Sequence, residues 1–104
     1  MLKFNKTEYE EFYRTHEFLR TDGKGWLATG ETITTASVII IEKDSGIDKS
    51  SAMVSNVAPY GSPQTQVKYF IQAGSKSVKN YFVEIRVVTS TSQKFEDVLL
   101  LEVT

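Results

Sequence analysis

The chain has one histidine, His16, and no cysteine with which to do acid–base or nucleophilic work. Nucleophilic hydrolysis needs a base held against a serine or cysteine, and no Gly-x-Ser-x-Gly turn occurs in the sequence. His16 therefore reads as an exposed or partly packed strand histidine. Glu8, Glu10 and Glu11 cluster near the start among lysines, where solvent keeps carboxylates ionised rather than split into an acid and a base. Residues 43 to 48, KDSGID, carry oxygen ligands but lack the alternating acids and terminal glutamate of a calcium loop. Gly23, Gly25 and Gly30 neither follow a clear strand nor open a helix, so the helix N-terminus that would hold a phosphate is missing. No catalytic residue, metal or cofactor is expected, and no small-molecule substrate.

Basic and aromatic residues interleave at Lys68, Tyr69 and Phe70 and again at Lys79, Tyr81 and Phe82. Single-stranded nucleic acid can stack on such rings, yet the formal net charge is −1. No summed positive field gathers phosphates, so nucleic acid is not an expected partner. Without cysteine the chain is compatible with a reducing cytosol. The opening MLKFNKTEYEEF has neither the apolar core of a signal peptide nor the arginine-rich face of a transit peptide. The apolar runs Val38 to Ile41 and Val98 to Leu101 fall far short of the roughly 20 residues a helix needs to cross a bilayer, and no membrane partner is expected.

At 104 residues the chain is near the commonest size of one domain, and one domain over 1–104 is expected, with 1–10 as a flexible arm. Around Phe12 to Leu19 two periods compete. Tyr9, Phe12, Tyr13 and His16 fit a helical stripe, whereas Phe12, Arg14, His16 and Phe18 alternate with their neighbours. Aromatic enrichment favours a strand over about residues 11–20. Ile33 to Glu42 is β-branched almost throughout, a composition that fits a pleated surface better than a helix. Ala52 to Val57, Gln66 to Gln72, Tyr81 to Val88 and Phe95 to Val103 complete the predicted strands, the last two as a hairpin. Polar turns break the chain at 43–51 and 74–77, and APYGSP, which holds both prolines, breaks it at 58–63. Six short strands between turn signals predict an all-β, two-layer antiparallel sandwich. Tyr81, opening a late strand, stands where such sandwiches tie a corner to the backbone through a tyrosine hydroxyl.

Val38, Ile39, Ile40 and Ile41 form an unbroken apolar row. In a half-buried strand successive side chains point to opposite faces, so Val38 and Ile40 inward put Ile39 and Ile41 outward. Either Phe12 or Phe18 from the N-terminal segment covers them, or a partner does.

Taken in order, an N-terminal extended segment, WLATGETITTASVIII at 26–41, YFIQAGSKSVKNYFVEIRVVTSTSQ at 69–93 and a closing LLLEVT make a familiar series. It resembles the small immunoglobulin-like structural proteins of tailed bacteriophages and prophages, of the fibre-to-tail adaptor or virion-associated type. Trp26, Leu27, Ala28, Gly30, Glu31 and Ile33 match that family's first motif, and Gly74, Tyr81, Val83, Val87 and Thr89 stand at the places of its second. The resemblance spans about residues 10–104. This chain departs from it at Ala73–Gly74, where a Gly-Gly pair is usual, and at Thr91–Gln93, which predicts a hairpin loop longer than two residues.

The resemblance implies an immunoglobulin-like sandwich of six to seven strands and a non-enzymatic virion protein. Such a protein would be made in the bacterial cytoplasm and bind other virion proteins or itself at head, tail or fibre. Ile39, Ile41 and Tyr60 are the expected partner contacts. Tyr60 earns its place as an aromatic in a loop between Pro59 and Gly61. The competing reading is a carbohydrate- or cell-surface-binding module, with Trp26, Tyr60 or Tyr69 stacked on sugar rings.

Overall fold

A computed structural model of the chain describes residues 2–19 and 27–104. In order, the elements are β1 (Lys3–Lys6), β2 (Phe12–Glu17), β3 (Ile33–Glu42), α1 (Ser50–Met53), β4 (Val54–Tyr60), β5 (Gln66–Ile71), β6 (Asn80–Thr89) and β7 (Lys94–Val103). They form a four-stranded sheet in the order β1-β7-β6-β3 and a three-stranded sheet in the order β2-β5-β4. The two sheets share one apolar core. Val38 and Ile40 of β3, Val83 and Ile85 of β6, and Leu99 and Leu101 of β7 meet Val67, Tyr69 and Ile71 of β5. Alternation explains the layering: in β5, in β6 and in β7 from Leu99 onward every second side chain is buried, as a one-sided pleat requires.

The all-β, two-sheet expectation holds, with departures in detail. β1 lies parallel to β7, with Lys3 beside Leu100 and Lys6 beside Val103, so the four-stranded sheet is mixed rather than antiparallel. Residues 3–6, expected within an arm, are thus a strand whose Phe4 and Lys6 are buried.

The expected strand over 52–57 begins later. Asp48 Oδ1 accepts Ser50 N–H at 2.8 Å, Ser50 Oγ accepts Ile40 N–H at 2.8 Å, and the chain makes one helical turn before β4. β4 then runs through Ala58, Pro59 and Tyr60, which were expected in a loop. Proline is tolerated there because β4 is a sheet edge, where its missing donor leaves no ladder bond unmade. The break falls instead at Gly61, with φ +107; a Cβ there would sit 2.9 Å from Pro63 O.

β6 and β7 form the expected hairpin, closed by Thr89 N–H on Gln93 O at 2.9 Å, so its loop exceeds two residues. Tyr81 is buried, and its hydroxyl accepts Ser75 N–H at 3.0 Å, tying the β5–β6 connection to the start of β6.

Candidate functional site

His16 lies on the inner side of β2. Its Nε2 is 2.8 Å from Asp97 Oδ2 of β7, which makes an ion pair between the sheets when the imidazole is protonated. The carboxylate stands off the ring N–H direction, so no aligned hydrogen bond forms. The imidazole meets Phe18 edge-on, with ring centroids 5.2 Å apart. One register step along β2, the Arg14 guanidinium sits 3.8 Å above the Phe4 ring. Among the described residues, Arg14 Nε and the hydroxyl of Tyr69, its neighbour on β5, are buried with no aligned hydrogen-bond partner. Burial pushes the Tyr69 phenol up, an effect that the adjacent Arg14 guanidinium opposes both as a polar neighbour and as a charge. This polar seam was not legible in the sequence, since Tyr69 is brought to β2 only by strand pairing and Asp97 only by the packing of one sheet on the other. Among the described residues, no group of three or more His, Asp or Glu side chains could hold a metal.

Two more buried charges are structural ties. Glu31 is 5% exposed. Its Oε1 accepts Ala28 N–H at 3.0 Å, and its Oε2 accepts the Thr89 hydroxyl at 2.6 Å and the Thr91 hydroxyl. These bonds, Thr89 first, hold its carboxyl below the usual carboxylate range. The carboxylate thereby pins the start of β3 to the β6–β7 hairpin. Lys6 donates from Nζ to Thr7 O at 2.7 Å and to Ala73 O. Burial pulls its ammonium below the ordinary lysine value, with Glu11, Glu10 and Glu8 working the other way. Gly74 keeps that space open, because a Cβ there would lie 3.2 Å from both Met53 Cε and Val103 Cγ2.

The sequence-expected contacts separate onto opposite sides of the molecule. Ile39 and Ile41 are half-buried and point out from the four-stranded sheet. Register places Ile41, Phe82 and Leu100 in one row across that face, and Ile39, Glu84 and Val98 in the next. Among the described residues, no strand or helix lies over these rows. Phe18 is fully buried in the core, and Phe12 packs against it from β2 in the other sheet, so neither covers Ile39 and Ile41.

Tyr60 ends β4 on the outer side of the three-stranded sheet and is 45% exposed. There Lys68 Nζ lies 4.9 Å from the Tyr60 ring centroid and 4.7 Å from that of Tyr13. Tyr13 in turn meets Phe70 edge-on at 4.8 Å and accepts a bond from Asn56 Nδ2 at 3.2 Å. Of the other residues suggested for sugar stacking, Tyr69 is fully buried and Trp26 lies outside the described residues. No family model matches the chain, and no curated protein matches it.

Proposed function

We propose that the chain is an immunoglobulin-like sandwich serving, without catalysis, as a structural or adaptor protein of a tailed bacteriophage or prophage virion. Three features of the fold support the immunoglobulin-like part. Strands 2, 5 and 4 share one sheet, strands 3, 6 and 7 share the other with the first strand on strand 7, and Tyr81 ties the corner before β6. The virion part rests on the two sequence motifs and on one structural observation: the apolar rows of Ile39, Ile41, Phe82, Val98 and Leu100 on an outward sheet face. Aliphatic surface has no donor or acceptor to offer water and gains free energy only by being covered. In this reading other virion proteins cover it during assembly, after synthesis in the bacterial cytoplasm.

The test replaces Ile39 and Ile41 together with threonine. The domain is expected to stay folded by circular dichroism while the protein disappears from purified particles, as read by mass spectrometry. An unfolded variant, or one incorporated normally, sinks the reading.

A second reading has its own observation. Tyr13 and Tyr60 are 51% and 45% exposed on the opposite face, with Lys68 between them, and exposed rings flanking a cation are suited to stacking on sugars. Binding of the purified protein to a glycan array, lost on Tyr60→Ser, would favour it over assembly.

A further inference from the structure

β1 covers only the last part of β7, from Leu100 to Val103. Val103 N–H points toward the β6 side and bonds Lys79 O at 2.7 Å, whereas Leu100 N–H points the other way and bonds Leu2 O at 2.9 Å. Alternation along the strand then puts the backbone groups of Lys94, Glu96 and Val98 on the side away from β6. Among the described residues, Val98 N–H is closed by Asp97 Oδ1 at 3.0 Å, and nothing bonds the N–H or C=O of Lys94 or Glu96. Such a stretch is a template for another strand.

The side chains along this edge select its occupant. Lys94 and Glu96 are exposed, opposite in charge, and flank the half-buried Phe95. When β7 pairs antiparallel with β7 of a second copy, the two-fold centre decides what faces what. A centre at Lys94 sets lysine against lysine, one at Glu96 sets glutamate against glutamate, and one at Asp97 sets aspartate against aspartate. Only a centre at Phe95 sets each Lys94 against a Glu96, with ring against ring between them. Like charges directly opposite are destabilising and unlike charges favourable, so one register is singled out.

That register also fits the slot. It puts Ser92 of the second copy opposite Val98, so the hairpin tip stops before β1, which starts opposite Leu100, and Asp97 keeps its bond to Val98. Glu96 already accepts Arg86 Nε at 2.5 Å through Oε2, and Lys94 of the second copy extends that charge row. The open edge of β3 has no comparable code. Its C-terminal half is closed by Lys49 N–H on Ile40 O and Glu42 N–H on Ile47 O, and Thr34 to Val38 carries no charge.

We propose that the β7 edge binds a second copy of this chain, antiparallel and centred on Phe95, joining the two four-stranded sheets. This goes beyond the assembly reading, because it uses a strand edge rather than the outer face, and replacing Ile39 and Ile41 with threonine leaves it intact.

The absence of native cysteine makes the register directly readable. Directly opposite residues in this position of an antiparallel pair have Cα atoms about 4.5 Å apart, within disulfide reach. Under mild oxidation, Phe95→Cys is expected to give a covalent dimer, and Glu96→Cys and Asp97→Cys are not. Because Phe95 touches the core, a second arm mixes Lys94→Cys with Glu96→Cys. This mixture is expected to cross-link while neither variant does so alone. Without cysteines, sedimentation velocity of the full chain is expected to show a concentration-dependent dimer. Lys94→Glu, which sets like charges opposite, weakens it by roughly tenfold or more. A protein that stays monomeric at millimolar concentration overturns the proposal. So does cross-linking that peaks at 96 or 97, or a dimer indifferent to Lys94→Glu.

Discussion

The outward faces of the two sheets meet water with different chemistry. On the four-stranded sheet two half-buried outward rows are mostly aliphatic or phenyl, with Ile41, Phe82 and Leu100 in line and Ile39 and Val98 either side of Glu84. On the three-stranded sheet, Tyr13 and Tyr60 bracket Lys68, and Tyr13 takes a hydrogen bond from Asn56. The second face satisfies its own polar atoms and can stay wet at little cost. On the first, the half-buried aliphatic side chains have nothing to offer water, though Arg86 pairs with Glu84 and Glu96 beside them. The two layers of the same sandwich therefore differ in how well their outward side chains suit water.

The sharpest way to break this contrast lies in neighbouring positions of β3. Ile40 is fully buried and Ile39 and Ile41 are not, so Ile40→Ala is expected to cost about 2–5 kcal/mol in urea unfolding. Ile39→Ala is expected to cost about 1 kcal/mol or less. Equal losses would mean that both sides of β3 are interior.

Glu31 gives a control beneath both faces. Its folded proton affinity lies below the ordinary value of 4.5, so the unfolded chain takes up the proton first as pH falls. The stability it contributes is present above that ordinary value and is lost as pH drops through the folded one. Thermal melts should therefore decline on acidification, and Glu31→Gln should be less stable at neutral pH and shallower in its acid decline. A parallel decline in wild type and variant would remove Glu31 as a tie.

On the wet face the effects shrink. Tyr13→Leu removes the edge-on Phe70 contact and the Asn56 bond, for an expected loss of about 1 kcal/mol in chemical denaturation. Lys68→Met, which gives up only exposed cation–ring contacts, is expected to cost about 0.5 kcal/mol. A larger loss would show that this face is part of the packed body rather than a solvent surface.

The fold was legible wherever a strand's own residues decide its state. β3 runs over the predicted Ile33–Glu42, and β6 and β7 lie within one residue of their predicted ends, because β-branched alternation is local information. The Tyr81 corner could be read for the same reason: it needs one residue type at the mouth of a strand. β1 was missed because its partner is β7, at the other end of the chain, and nothing in LKFNK announces that pairing. α1 was missed because Ser50 is drawn in by Ile40 across a turn. The outward direction of Ile39 and Ile41 followed from parity. What parity cannot give is what lies above a face, and the proposed Phe12 or Phe18 cover failed because β2 joined the opposite sheet. The seam of Arg14, His16, Tyr69 and Asp97 was hidden because each member looks ordinary alone.

Asp97 occupies an unusual station, one oxygen turned toward His16 and the other folded back on its own strand at Val98. By occupying that amide it ends the sticky stretch, much as a stopper ends a row of open sockets. With an aliphatic side chain at 97 that amide would be left open, and the unpaired edge would run from Lys94 to the start of β1. A single carboxylate thus sets how far the bare edge of β7 reaches.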